Sequence, residues 1–165
     1  MDETTNFDDA LAAYQQIPEK VSALLARIPT RELDEVSSSS QMSLRETIHH
    51  LVEANIVSAS MMIAALGSEK ATYDWSWLWP GRDWCDRMHY DSVPLDAAVT
   101  TLDGLIQHIA NVLSVRDDAA SRKVSVHDTP GATPYFLTVT RILAQEGKHV
   151  DEHLGEIVTA LETTT

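Results

Sequence analysis

Apolar residues recur every three or four positions in four stretches of this chain, and each stretch predicts a helix. In the first, Phe7, Leu11, Tyr14, Val21, Leu25 and Ile28 form one stripe. Pro18 interrupts it, which predicts either a kink or a fresh helix start. Residues 29–41, with serines at 37–40, read as a loop. Ser43-Leu44-Arg45-Glu46 is a capping box and opens a second helix that runs to Gly67. Leu44, Ile48, Leu51, Ser58 and Met62 make its core stripe, with His50 and Val57 beside it at a helix–helix seam. The third helix starts near Pro94 and carries Leu95, Ala98, Leu102, Leu105, Ile109 and Val112. Lys123–Val126 reads as extended, followed by a turn at Thr129-Pro130-Gly131. Thr133 then predicts an N-cap, with Pro134 at the first position of a fourth helix running to about Leu161. Its core positions are Phe136, Leu143, Gly147, Val150, Leu154, Ile157 and Leu161.

Between the second and third helices, the segment Tyr73–Pro94 carries all four tryptophans, Trp75, Trp77, Trp79 and Trp84, around a Pro80-Gly81 turn. So much aromatic mass in one connection is either a packed flap over one end of the core or a wall that touches a ligand.

Composition narrows the function classes. The chain has 165 residues, the size of one domain, so a single domain over 1–165 is expected. A net charge of −13 repels phosphate backbones, which argues against nucleic acid as a partner. One cysteine, Cys85, allows no internal disulfide and fits a reducing, cytoplasmic setting. No CxxC accompanies it, which favours a structural role. The N-terminus lacks an apolar run, and no segment reads as long and apolar enough to span a bilayer, so no membrane partner is expected. GxSxG, Walker A and GxGxxG sequences are missing, which leaves serine-hydrolase and nucleotide readings without support.

The chemistry lies in the histidines. His149 and His153 are four residues apart, so on a helix both imidazoles share one face and can share an ion. Seven histidines in 165 residues yield about 0.3 such pairs by chance, so spacing alone decides little. Context adds weight: His149, His153, Glu146 and Glu156 flank the apolar stripe, while Gln145, Lys148, Glu152 and Thr159 form the solvated face. His50 is the third candidate, and His49, one residue away, is turned about 100° from it. Burying three imidazoles together without a partner is costly, and a divalent ion supplies the compensation. His89, His108 and His127 read as ordinary structural or surface residues.

Ser43-Leu44-Arg45-Glu46-Thr47-Ile48-His49-His50-Leu51-Val52-Glu53 resembles the histidine-pair segment of the DinB-like superfamily, especially its metal-dependent hydrolase branch. His149-Val150-Asp151-Glu152-His153-Leu154 is similar to the C-terminal HxxxHL segment of that family. Ile17-Pro18 and Val126-His127-Asp128 are looser likenesses. The resemblance implies an all-α, up-down-up-down four-helix bundle with a long connection between helices two and three. It also implies a divalent ion on His50, His149 and His153, and membership among hydrolases or transferases and isomerases that use bacillithiol, mycothiol or glutathione. Asn55 stands where that branch often has a further histidine, and Asp151 and Glu152 replace histidines of related members.

The expected protein is therefore a metal-dependent enzyme that activates a thiol cofactor or a water to act on a small-molecule substrate. Three imidazoles accept Zn, Ni or Fe. Glu53 is the first candidate to orient an imidazole or move a proton, and Glu146 the second. The rival expectation is a non-catalytic metal- or small-ligand-binding bundle. Stripes on more than one helix flank predict a homodimer.

Overall fold

The computed structural model describes residues 5–36, 41–78 and 81–163. The serine run at 37–40, Trp79 and Pro80 lie outside these residues. The first helical stretch is two helices, α1 (Phe7–Gln15) and α2 (Ile17–Leu25). Pro18 stands in the first turn of α2, where its missing N–H costs no helical bond, so it marks a fresh start rather than a kink. The Asn6 side chain caps α1 by accepting from the Asp9 amide at 2.9 Å.

Helix α3 (Leu44–Gly67) begins with the predicted capping box. Ser43 Oγ accepts from the Glu46 amide at 3.2 Å, and the Ser43 amide donates to Glu46 Oε2 at 2.7 Å. At the far end Arg122 Nε donates to the Ala65 carbonyl at 2.8 Å, satisfying one of the orphan acceptors there. Helix α3 is, among the described residues, the one helix long and apolar enough to cross a membrane by length and composition, which corrects the expectation that no segment reaches that range. Its apolar residues are spent on the core: 61% of its most apolar window is buried inside the protein.

After α3 the Trp-rich stretch is more ordered than a bare connection. It holds β1 (Thr72–Asp74), the short helix α4 (Arg82–Met88) and a 3-10 turn at Tyr90–Ser92. Arg82 reaches back from α4 and donates to the buried Glu46 carboxylate at 2.9 Å, and also pairs with Asp86. The two carboxylates push the already high pKa of its guanidinium further up. The capping carboxylate of α3 thus also anchors α4.

Helix α5 (Leu95–Ser114) follows, then β2 (Lys123–His127), β3 (Tyr135–Thr138) and α6 (Val139–Thr163). The extended reading of Lys123–Val126 holds, within β2. The predicted start of the fourth helix does not. Thr133 and Pro134 precede a strand, and α6 begins only at Val139, where the Thr138 hydroxyl accepts from the Arg141 amide at 3.2 Å. The physical reason is non-local: Tyr135–Thr138 is rich in strand formers and pairs antiparallel with Lys123–Val126, with Val124 opposite Leu137. The alternation buries Leu137 and leaves Phe136, expected in the core, 64% exposed under the Lys123 ammonium. The sheet order is β1-β2-β3, with β1 parallel to β2.

α3 packs on α5 and α6, α1 packs on α6, and α2 packs on α5. Counting α1 and α2 as one broken helix, this is a four-helix bundle with a small three-stranded sheet at one side. Tyr14, Ile17, Ile48, Leu51, Leu102, Ile109, Leu143 and Val150 fill its core. The α3–α6 face is the one that carries the histidines.

Candidate metal centre

His50 projects from α3, and His149 and His153 from consecutive turns of α6. The bundle brings all three together: one ligating nitrogen from each lies within 4.8 Å of the others. His50 Nε2 and His149 Nε2 are 3.1 Å apart. Two nitrogens each about 2.0–2.1 Å from one ion, at right-angled to tetrahedral geometry, stand about 2.9–3.4 Å apart, so this pair has the spacing a shared ion requires. The rings meet edge to face, with centroids 4.7–5.1 Å apart.

Burial and mutual repulsion favour the neutral form of His50 and of His153. Burial first, then His149 and His153, pushes the pKa of His50 down to about 3. Burial and then His149 also lower that of His153, against the raising effect of Glu156. A neutral imidazole has a lone pair to give, which is the form a metal ligand must take. Exposure is graded across the trio: His50 is buried, His153 is 16% exposed and His149 is 32% exposed.

Two carboxylates on α6 stand behind the imidazoles, each three residues from its histidine. Glu156 Oε2 lies 3.1 Å from His153 Nδ1. Glu146 Oε1 lies 3.8 Å from His149 Nδ1. The Glu156 contact is a hydrogen bond that places a proton on His153 Nδ1 and leaves its Nε2 to face an ion, whereas Glu146 lies just beyond hydrogen-bond distance of His149 Nδ1. Glu146 is itself fixed from α3: Asn55 Nδ2 donates to one oxygen at 2.8 Å, and Ser58 Oγ donates to the other at 2.6 Å. From the sequence, Asn55 marks only a departure from the branch, Ser58 belongs to a core stripe and Glu156 to a flank; none of them reads as a partner of the histidines. The signal that could have found Glu156 is its i,i+3 spacing to His153, matching that of Glu146 to His149.

Glu53 is placed differently from Glu146. Among the described residues no hydrogen bond or ion pair joins it to His50, His149 or His153. Trp84 Nε1 donates to one of its oxygens at 2.8 Å and the Tyr90 hydroxyl to the other. The carboxylate and burial together push the Tyr90 phenol up, burial contributing most. Glu53 therefore latches α4 and the following turn onto α3. Replacing it with alanine strips the acceptor from two partly buried donors and should cost about 2 kcal/mol or more in chemical denaturation. Ion uptake should be unchanged in that variant; an equal loss of stability and ion affinity would refute the latch.

The remaining candidates stand apart from the trio. His49 Nε2 meets the Val93 carbonyl at 3.2 Å, and its ring stacks on Tyr90 at 4.6 Å. Cys85 is buried beside Met42 and Tyr90, and burial pushes its thiol up to about 11, a structural rather than a reactive cysteine. Trp75 packs partly against the core. Trp77 is 61% exposed, its indole N–H donating to the Asp74 carbonyl at 3.2 Å, and its ring lies 6.1 Å from that of Trp84.

The profile of the DinB superfamily matches residues 13–157. The fold is similar to that of a protein from Bacillus subtilis, YfiT, described as a probable metal-dependent hydrolase with an unusual four-helix bundle topology. The TM-score is 0.79, at 15% identity, over 99% of this chain and 90% of that one. No curated protein matches the chain.

Proposed function

From the premise that this chain belongs to the DinB superfamily, we propose that it is a metal-dependent enzyme whose ion sits on His50, His149 and His153. The observation that carries this reading is the convergence of three imidazole nitrogens from two helices within 4.8 Å. The description of the structural neighbour YfiT as a probable metal-dependent hydrolase supports it. Three neutral ligands leave a divalent ion its full charge and an open position, so that a bound water or thiol loses its proton near neutral pH.

The chain's own residues then have distinct tasks. His50 closes the inner side of the centre, and its burial excludes water there. Glu156 hydrogen-bonds the Nδ1 side of His153, and Glu146 stands 3.8 Å from the Nδ1 side of His149. Trp77, 61% exposed with its ring 6.1 Å from that of Trp84, would offer an apolar surface to a substrate's hydrocarbon body. We propose thiol transfer to a small electrophile, or hydrolysis of one, as the reaction.

The test has two arms. The purified protein is analysed for Zn, Ni and Fe, and then assayed with electrophiles in the presence and absence of mycothiol, bacillithiol and glutathione. Turnover that requires both ion and thiol marks a transferase, and turnover with ion and water alone marks a hydrolase. An ion held without turnover of any kind marks the non-catalytic binding bundle. Trp77→Ala should weaken an apolar electrophile by about tenfold with an unchanged melting temperature, because the exposed ring contributes little to the core. A lowered melting temperature with unchanged affinity would remove Trp77 from the site.

A further inference from the structure

Glu146 is an unusual residue for its position. It is 5% exposed in the middle of the bundle, and among the described residues no lysine or arginine pairs with it. Both of its oxygens accept hydrogen bonds, from Asn55 and from Ser58, the pattern of a carboxylate rather than of a carboxylic acid. The surroundings offer no further relief. The buried Tyr14 hydroxyl and Asn55 Oδ1 lack hydrogen-bond partners among the described residues, and Glu146 adds to the effect of burial in disfavouring the Tyr14 phenolate. A buried anion with two neutral donors and no cation is costly to keep. Among the described residues the nearest place for a cation is the imidazole trio, whose His149 Nδ1 lies 3.8 Å from Glu146 Oε1.

We propose that Glu146 is the built-in countercharge of the metal centre and a positioning residue for His149: it holds the Nδ1 proton of that ring, directs Nε2 to the ion, and has its own burial compensated only when a divalent cation occupies the trio. The proposal rests on the metal-centre reading above. Its consequence is asymmetric. Removing the charge should relieve the ion-free protein and weaken the ion-bound one, whereas removing an ordinary structural hydrogen bond would weaken both. Asn55 and Ser58 act through Glu146, since their donors fix the carboxylate that faces the ring.

Glu146→Gln tests this in the full chain. The variant is nearly isosteric: its oxygen can keep accepting from Asn55 Nδ2, which also donates to the Leu51 carbonyl, while its amide donates to the Ser58 hydroxyl, a group that accepts as well as donates. Stripped wild type and variant are titrated with Zn(II) against a chromophoric chelator, and both forms are melted with and without the ion. The expected result is a zinc affinity weaker by about 10–100-fold, an ion-free melting temperature at or above that of wild type, and a smaller rise in melting temperature on zinc addition. Affinity within twofold of wild type, or a lower ion-free melting temperature with unchanged affinity, overturns the proposal. A second measurement needs no variant: nitrogen NMR of the zinc-loaded wild type should find His149 protonated on Nδ1 and ligated through Nε2, and ligation through Nδ1 overturns it. Should wild type itself take up no zinc, the metal-centre reading falls and this proposal with it; zinc bound equally by wild type and Glu146→Gln removes this proposal alone.

Discussion

Alanine in place of His149 is expected to lower the metal content of the purified protein from near one ion per chain to less than about a tenth of that, since two imidazoles hold a divalent ion far more weakly than three. The same loss is expected for His50→Ala and for His153→Ala, because the three nitrogens converge on one point and removing any of them leaves two imidazoles. Contrast within the histidine pair gives the result its force. His49→Ala, at the residue next to His50, should keep its ion, because that ring is committed to the Val93 carbonyl and to Tyr90. Elemental analysis of the four variants after dialysis is the measurement. Full metal content in His149→Ala, or equal loss in His49→Ala, would remove the trio as the binding site.

Acid should destabilise this protein steeply below pH 6.5, and the metal-loaded form most of all. His50 has a folded-state pKa pushed down to about 3, against about 6.5 in the unfolded chain. Between those values the unfolded chain binds a proton that the folded one does not, so stability falls as pH falls. The cost is about 1.4 kcal/mol per pH unit for one such group. His153, also lowered, adds to it in the same direction. An ion on the trio keeps all three rings unprotonated in the folded protein, so unfolding the loaded protein takes up about three protons and the slope approaches 4 kcal/mol per pH unit. Denaturant titrations at pH 7, 6 and 5, with zinc and with a chelator, should diverge accordingly. His50→Gln in the chelated protein should flatten the curve. Parallel curves for the loaded and stripped protein would contradict the assignment of the ion to these rings.

Local signals were legible in the chain, and contacts between distant segments were not. The capping box at Ser43-Leu44-Arg45-Glu46 depends on residues within one turn and appears as read, and at Pro18, where the sequence allows a kink or a fresh start, the chain takes the start. The pairing of His149 with His153 follows from helix periodicity, while His50, 99 residues from His149, joined the set from its place at a helix seam and through the family resemblance, and the bundle brings the three nitrogens together. Thr133-Pro134 carries the local marks of a helix start, yet β3 forms there because Val124 and Val126 of β2 supply a partner that no local rule can see. Glu53 lies three residues past His50 and so shares its side of α3, which is why it read as the leading partner for an imidazole. Two donors arriving from residues 84 and 90 claim it instead. Glu146 was visible as a flank carboxylate, but its anchoring by Asn55 and Ser58 is a contact between helices nearly 90 residues apart in sequence.

That same separation between the ligand helices sets a clock. α3 and α6 are the second and last long helices of the bundle, so their imidazoles meet only after most of the intervening chain, including α5 and the small sheet, has been gathered. Contacts so distant in sequence are made late, after the loop-closure entropy of the segment between them has been overcome. Helical circular dichroism should therefore recover on refolding before a zinc-sensitive signal does, and a nascent chain on the ribosome would remain unable to hold its ion until its final helix has emerged.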